Sequence, residues 1–297
     1  MNFATDFGLF AKPRNPHTLH HFGLSTDDVN FKEAFKDTRF VVCGSNRSVI
    51  QRAANYVAEQ LSVQVPYGTR IKNLSKKERY AILKVGPVLC ICHESGAAES
   101  SIVLHEVTSM LNNADVEMPT FFYLGASEGA AFSGVEAGSI IITTCTVNAM
   151  AKPYFETCCC GRRVQHDSSL DTDLVQQLCQ ICKSMDIQYA TGLTMESNDF
   201  YEEEGRLDGG LCSYTKEEQK NYLEQIHNQG VRNMQMGCSC FAAFCKRAKA
   251  KAAIINVCLA NRFDETEAPL SNVKLALYEM MPCELAVQLM KMHLKAE

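Results

Sequence analysis

No apolar run in this sequence approaches the ~20 residues needed to cross a bilayer. The longest, Val85 to Cys92 and Ser139 to Val147, have the length of buried strands, and no membrane association is expected. The opening segment MNFATDFGLFAKPRNPH lacks the basic stretch followed by an apolar one that marks a secretory leader, so a cytoplasmic protein is expected. Positive charge is not in excess either. A net charge of −5 provides no general attraction for nucleic acid or acidic lipid. There is no P-loop, no GxGxxG, no internal repeat and no low-complexity block, and no cofactor is expected.

Cysteine is plentiful, at 15 residues, but its spacing argues against metal. Cys179-Gln-Ile-Cys182 is the only CxxC and lies within a helical pattern. Zinc needs four converging ligands, and no second CxxC or HxxxH follows, so no metal site is expected. Cys43, Cys90, Cys92, Cys145 and Cys258 sit in apolar strand-like runs, where cysteine acts as a small hydrophobe. Cys158-Cys159-Cys160 precedes a Gly-Arg-Arg turn, and neighbours in sequence cannot form an unstrained bridge. Free thiols in a reducing compartment account for the set.

With 297 residues, 46% hydrophobic and 21% charged, the chain can bury a large core. Its periodicity alternates between two and 3.6 residues. Strands are expected at 39–44, 80–84, 88–92, 120–125, 139–147, 187–194 and 252–259. Helices are expected at 48–61, 97–111, 170–185, 215–229, 238–250 and 271–294, with a small-residue loop at 126–131. One α/β domain around a large mixed sheet, over 18–297, is the economical architecture, with residues 1–17 as a loose arm. Sites in such folds gather at strand ends. The candidate loops are Gly44-Ser-Asn-Arg47, His93-Glu-Ser-Gly96, Gly125-Ala-Ser-Glu128, 200–206 and Asn261-Arg262.

Six motifs carry the next step: Lys84-Val-Gly-Pro-Val-Leu89, Asp199-Phe-Tyr201, Gly205-Arg-Leu-Asp-Gly209, Leu211-Cys-Ser-Tyr-Thr215, Gly230-Val-Arg-Asn233 and Asn261-Arg262. In this order and at these separations they resemble the animal-type uridine phosphorylases of the nucleoside phosphorylase-I family, from Leu19 to the last helix. The resemblance implies a single α/β domain with a twisted mixed sheet and a homodimer with shared sites. It also implies a nucleoside or nucleobase ligand, and the reaction of uridine and phosphate to uracil and ribose 1-phosphate.

The same resemblance assigns positions to the three subsites, and each departs from the family pattern. At the phosphate site Gly44 matches, and Arg79 matches an arginine contributed by the neighbouring subunit. Arg47 is displaced by one position, because Ser48 stands where the family has arginine. Tyr123 replaces a second arginine and Ala126 a threonine. A charge-assisted hydrogen bond contributes about 1.5 to 3 kcal/mol. Losing two arginines and a hydroxyl therefore costs on the order of 4 to 7 kcal/mol, roughly 10³ to 10⁵ in affinity, and phosphate binding is expected to be weak. At the ribose site His21 and Met236 match, whereas Gly237 removes the carboxylate that accepts from the sugar hydroxyls. At the base site Phe200 and Arg206 match, and Glu204 replaces a glutamine. A carboxylate there still accepts from uracil N3–H, but it repels O2 and opposes the leaving anion. A solvated acidic loop at Glu202 to Glu204, or pairing of Glu204 with Arg206, are alternatives.

The expectation is a uridine phosphorylase-like protein whose phosphorolysis is severely impaired or lost, retained for ligand binding or interaction. Two alternatives stay open. One is an active phosphorylase with the turn around Arg47 reshaped. The other is a phosphate-independent nucleoside hydrolase using Glu128, Glu94 or Glu204 as base.

Overall fold

The computed structural model describes residues 18–66, 68–129, 135–262 and 270–295; the expected arm at 1–17 lies outside them. Two short strands, β1 (Thr18–Leu19) and β2 (Leu24–Ser25), pair antiparallel and lead to α1 (Phe31–Phe35). There follow β3 (Phe40–Gly44), α2 (Arg47–Gln60), β4 (Ala81–Val85), β5 (Val88–Cys92), α3 (Ala97–Asn113), β6 (Thr120–Gly129) and β7 (Ile140–Val147). The second half comprises β8 (Tyr154–Cys159), β9 (Arg162–Asp167), α4 (Thr172–Ser184), β10 (Tyr189–Glu196), α5 (Lys216–Asn228), β11 (Val231–Gln235), α6 (Cys238–Arg247), β12 (Ala252–Asn261), α7 (Asn272–Tyr278) and α8 (Met281–Lys295).

Eight strands form one mixed sheet in the order β11-β10-β7-β12-β6-β3-β5-β4. The β4–β5 and β7–β12 pairs are antiparallel, and the other consecutive neighbours are parallel. A further antiparallel bridge from Asn233 of β11 to Gly129 of β6 joins β6, β12, β7, β10 and β11 into a closed ring. Side chains alternate across the strands, so each face has its own core. Phe40, Val42, Phe122 and Ile255 pack on one face against α2, α4 and α8, and Val41, Cys43, Phe121 and Ile254 on the other against α3 and α6.

Three differences from the sequence reading have local causes. The 154–167 segment, read as a cysteine run before a turn, is the β8–β9 hairpin. Cys160 and Gly161 form its two-residue connection, both at positive φ (49° and 79°), which suits the right-handed twist of the flanking strands. Strand β6 runs on to Gly129, through the first part of the expected loop; 130–131 lie outside the described residues. The helix expected over 271–294 is two helices separated at Glu279 and Met280. Pro282 has no N–H to donate to Tyr278, and its ring would meet that carbonyl in a continuous helix.

All 15 cysteines are free. Burial raises the thiols of Cys43 and Cys90 to about 12. Among the described residues no three His, Cys, Asp or Glu side chains converge as a metal site, and no helix is long and apolar enough to cross a membrane.

Candidate functional site

The turn after β3 and the end of β6 enclose a cavity of about 160 Å³ lined by Gly44, Ser45, Asn46, Leu124, Gly125 and Ala126 together with Val49, Ile50 and Glu279. Of the positions assigned to phosphate, Gly44 and Ala126 line it, and the Asn46 and Glu279 side chains in its wall are engaged with other groups. The Asn46 side chain caps α2, accepting from the amides of Ser48 (3.0 Å) and Val49 (3.3 Å), so it occupies the donors that a helix N-terminus offers to an anion. The Arg47 guanidinium donates to the carbonyl of Glu78. Ser48 is exposed on the first turn. Glu279, which the sequence did not single out, brings a carboxylate to the wall, ion-paired with Arg52 at 2.6 Å and 3.5 Å from Asn46 Nδ2.

Tyr123 lies in the core, 1% exposed. Its ring packs against His93 and Phe241, and its hydroxyl donates to the Met236 carbonyl at 3.3 Å. Burial holds its pKa well above the ordinary value of a phenol and lowers that of His93. Arg79 forms an ion pair with Glu99 and a longer one with Glu94 (3.5 Å). Within one chain, therefore, neither Arg47 nor Arg79 reaches into the cavity wall.

The ribose positions lie where β11 meets α6. Gly237 is the N-cap of α6 in the left-handed region (φ 83°). A Cβ there would lie 2.8 Å from Ser100 Oγ and 2.9 Å from the Gly96 carbonyl oxygen, so the start of α3 fills the space a side chain would need. Met236 is half-buried beside it. Gly125 is equally constrained, since a Cβ would fall 2.0 Å from Gln235 Nε2 and 2.1 Å from Asn256 Oδ1. His21 is held by Glu106 of α3, its Nδ1 2.7 Å from Oε1, while the His21 and Phe22 amides donate to the same carboxylate.

A carboxylate that sequence reasoning missed stands in this corner. Glu196 ends β10 opposite Gln235 and is 3% exposed. Burial pushes its pKa up to about 7, against the pull of Ser239 and of the Gly237, Ser239 and Cys240 amides at the start of α6. Its Oε1 has no hydrogen-bond partner among the described residues. Glutamate at the end of a strand reads as the beginning of a loop, and nothing in the local pattern marks it as buried.

The loop expected to hold a base is fastened at many points. Asp199 Oδ1 accepts from the amides of Tyr201 and Glu202, Gln219 Nε2 donates to the Gly205 carbonyl (2.7 Å), and Tyr222 Oη donates to that of Glu203 (2.8 Å). Glu202 is exposed, as a solvated acidic loop would have it, but Glu204 is only 5% exposed. Glu204 Oε1 accepts from Ser197 Oγ at 2.7 Å, and Oε2 lies 3.5 Å from Arg206 Nε and 3.7 Å from an Arg262 amino nitrogen. The same Arg262 nitrogen donates to the Glu204 carbonyl (2.8 Å). Phe200 is 43% exposed, and the Arg206 guanidinium lies over one face of its ring at 3.9 Å. The structure thus brings Phe200, Glu204 and Arg206 together, and likewise Gly44 and Ala126 around one cavity. His21 and Arg79 bond to α3 instead.

The phosphorylase superfamily model matches residues 38–281. Uridine phosphorylase 1 of Mus musculus is 38% identical over 275 residues, covering 92% of this chain and 87% of its own. The inactive uridine phosphorylase B of Schistosoma mansoni is 32% identical, with 92% and 91% covered. A crystal structure of Schistosoma mansoni uridine phosphorylase in complex with uracil superposes with a TM-score of 0.86 at 30% identity, covering 93% of this chain and 95% of that one. The family match and these similarities agree: the chain belongs to the phosphorylase superfamily and, within it, to the uridine phosphorylases.

Proposed function

We propose that this protein binds a nucleobase or nucleoside at the site formed by Phe200, Glu204 and Arg206, and that its capacity for phosphorolysis is severely weakened or lost. The observation that carries this reading is the cavity between Gly44 and Gly125. Among the described residues no arginine lines it, Glu279 contributes a carboxylate, and Asn46 already takes the α2 amides. Phosphate placed there would meet like charge and few donors, whereas catalysis requires preorganised donors aimed at developing negative charge. Gly237 adds to the loss, since no side chain at that position can grip the sugar hydroxyls.

Retention of Phe200 and Arg206 supports ligand binding, and a relative solved in complex with uracil supports a pyrimidine. The reading places the protein in pyrimidine nucleoside metabolism, in the cytoplasm, as a homodimer whose partner receives His21 and Arg79, with residues 18–297 as one domain behind an N-terminal arm. The test is a long incubation of concentrated protein with uridine, thymidine and other nucleosides, with and without phosphate, monitoring free base. No release in either condition, with saturable binding of a base or nucleoside by calorimetry, is the expected result. Robust phosphate-dependent uracil formation would overturn it, and release without phosphate would establish a hydrolase instead.

A further inference from the structure

Glu204 is a buried carboxylate held between a hydroxyl and two guanidiniums. Ser197 Oγ fixes one carboxylate oxygen at 2.7 Å. Oε2 lies 3.5 Å from Arg206 Nε and 3.7 Å from an Arg262 amino nitrogen, and the two guanidiniums compensate its charge. A buried carboxylate with two cations beside it is held in place as an acceptor, since an ionised carboxylate has no proton to donate. Beside it stand a donor, Arg206, and a partly exposed aromatic ring, Phe200.

Resting on the base-binding reading above, we infer that the site selects a heterocycle with two adjacent N–H donors next to a carbonyl. That is the edge of a 2-amino-4-oxopyrimidine, as in isocytosine or, fused, in guanine. Uracil presents N3–H between two carbonyl oxygens. With its N3–H on one carboxylate oxygen and O4 on the guanidinium, its O2 faces the other carboxylate oxygen with no proton between them. Replacing O2 by an amino group turns that repulsion into a second charge-assisted hydrogen bond, and every polar atom of the edge is matched. Discrimination of this type is steep, because a mismatched ligand leaves a buried polar group unpaired.

Isocytosine and uracil form a pair of equal size that differs at this one group. Calorimetric titration of the full-length protein with each is expected to give at least ~10-fold tighter binding of isocytosine, and Glu204→Gln, which restores a donor, is expected to reverse the order. Equal or tighter binding of uracil by the parent overturns the inference while leaving the base-binding reading intact. A preference unchanged in Glu204→Gln also overturns it, by showing that Glu204 only anchors the loop. Absence of binding by either base overturns both readings. Should Glu204→Gln fold poorly, the parent's isocytosine-to-uracil ratio decides alone.

Discussion

Substituting Glu196 with glutamine should change how stability depends on pH. The Glu196 carboxyl is raised from an ordinary value of 4.5 to about 7 by burial. Its folded form therefore holds a proton more tightly than the unfolded chain does. The associated stabilisation is complete below pH ~4.5 and disappears as pH rises through ~7. At ~1.4 kcal/mol for each pH unit between the two values, the whole effect is roughly 3 kcal/mol. The neighbours do not compete in this window: burial raises Cys240 to about 12 and holds Tyr123 and Cys238 well above their ordinary values. His93, packed on Tyr123, has a lowered pKa, and its contribution cancels when parent and variant are compared at the same pH. Urea denaturation at pH 5 and pH 8.5 measures the difference. Glu196→Gln should gain roughly 2 to 3 kcal/mol relative to the parent on going from the lower to the higher pH. A variant equally displaced from the parent at both values would refute the reasoning and show that Glu196 carries its charge in the folded protein at no net cost.

Two further predictions follow from the glycine and the acid at the other subsites. Gly237→Ala should lower stability by about 2 kcal/mol, because a left-handed φ costs ~1 to 2 kcal/mol outside glycine and the new Cβ crowds Ser100 and Gly96. Thermal melts would show this, and unaltered melting would mean that the start of α3 moves freely aside. Glu279→Ala should uncover the Arg52 guanidinium and admit phosphate. At ten times its Kd the ion would add ~1.4 kcal/mol, or about 2 to 4 °C in Tm, to the variant only, and an equal shift in the parent would contradict a blocked cavity.

Much of the architecture is legible in the sequence because β3, β5, β7 and β12 are apolar runs between polar turns, and α2, α3 and α4 carry 3.6-residue stripes. What escaped depends on contacts between distant segments. Cys160 at positive φ gives no sequence signal, so the β8–β9 hairpin reads in the sequence only as a cysteine run before a turn. Glu196 and Glu279 look like ordinary polar ends of elements; their importance comes from α6 and from the Gly44 turn, far away in sequence. The Glu204–Arg206 pair, one of the alternatives for this loop, is present, but its burial depends on Ser197 and Arg262, which no local pattern connects. Asn46 was visible as part of a turn, yet its cap on α2 appears only in the geometry.

The ring of strands closed by Asn233 and Gly129 has a mechanical consequence for the site. With β6 and β11 bridged, the segment carrying Tyr123, Gly125 and Ala126 cannot shift without carrying Gln235, Met236 and Gly237 along. The Tyr123 hydroxyl bound to the Met236 carbonyl is a second tie across the same seam. A ligand drawing on one of these segments would therefore stiffen the other, and a residue exchanged on one would be felt on the other. The two segments form a single load path, so placing a charged side chain at 123 would mean reopening the core that joins them.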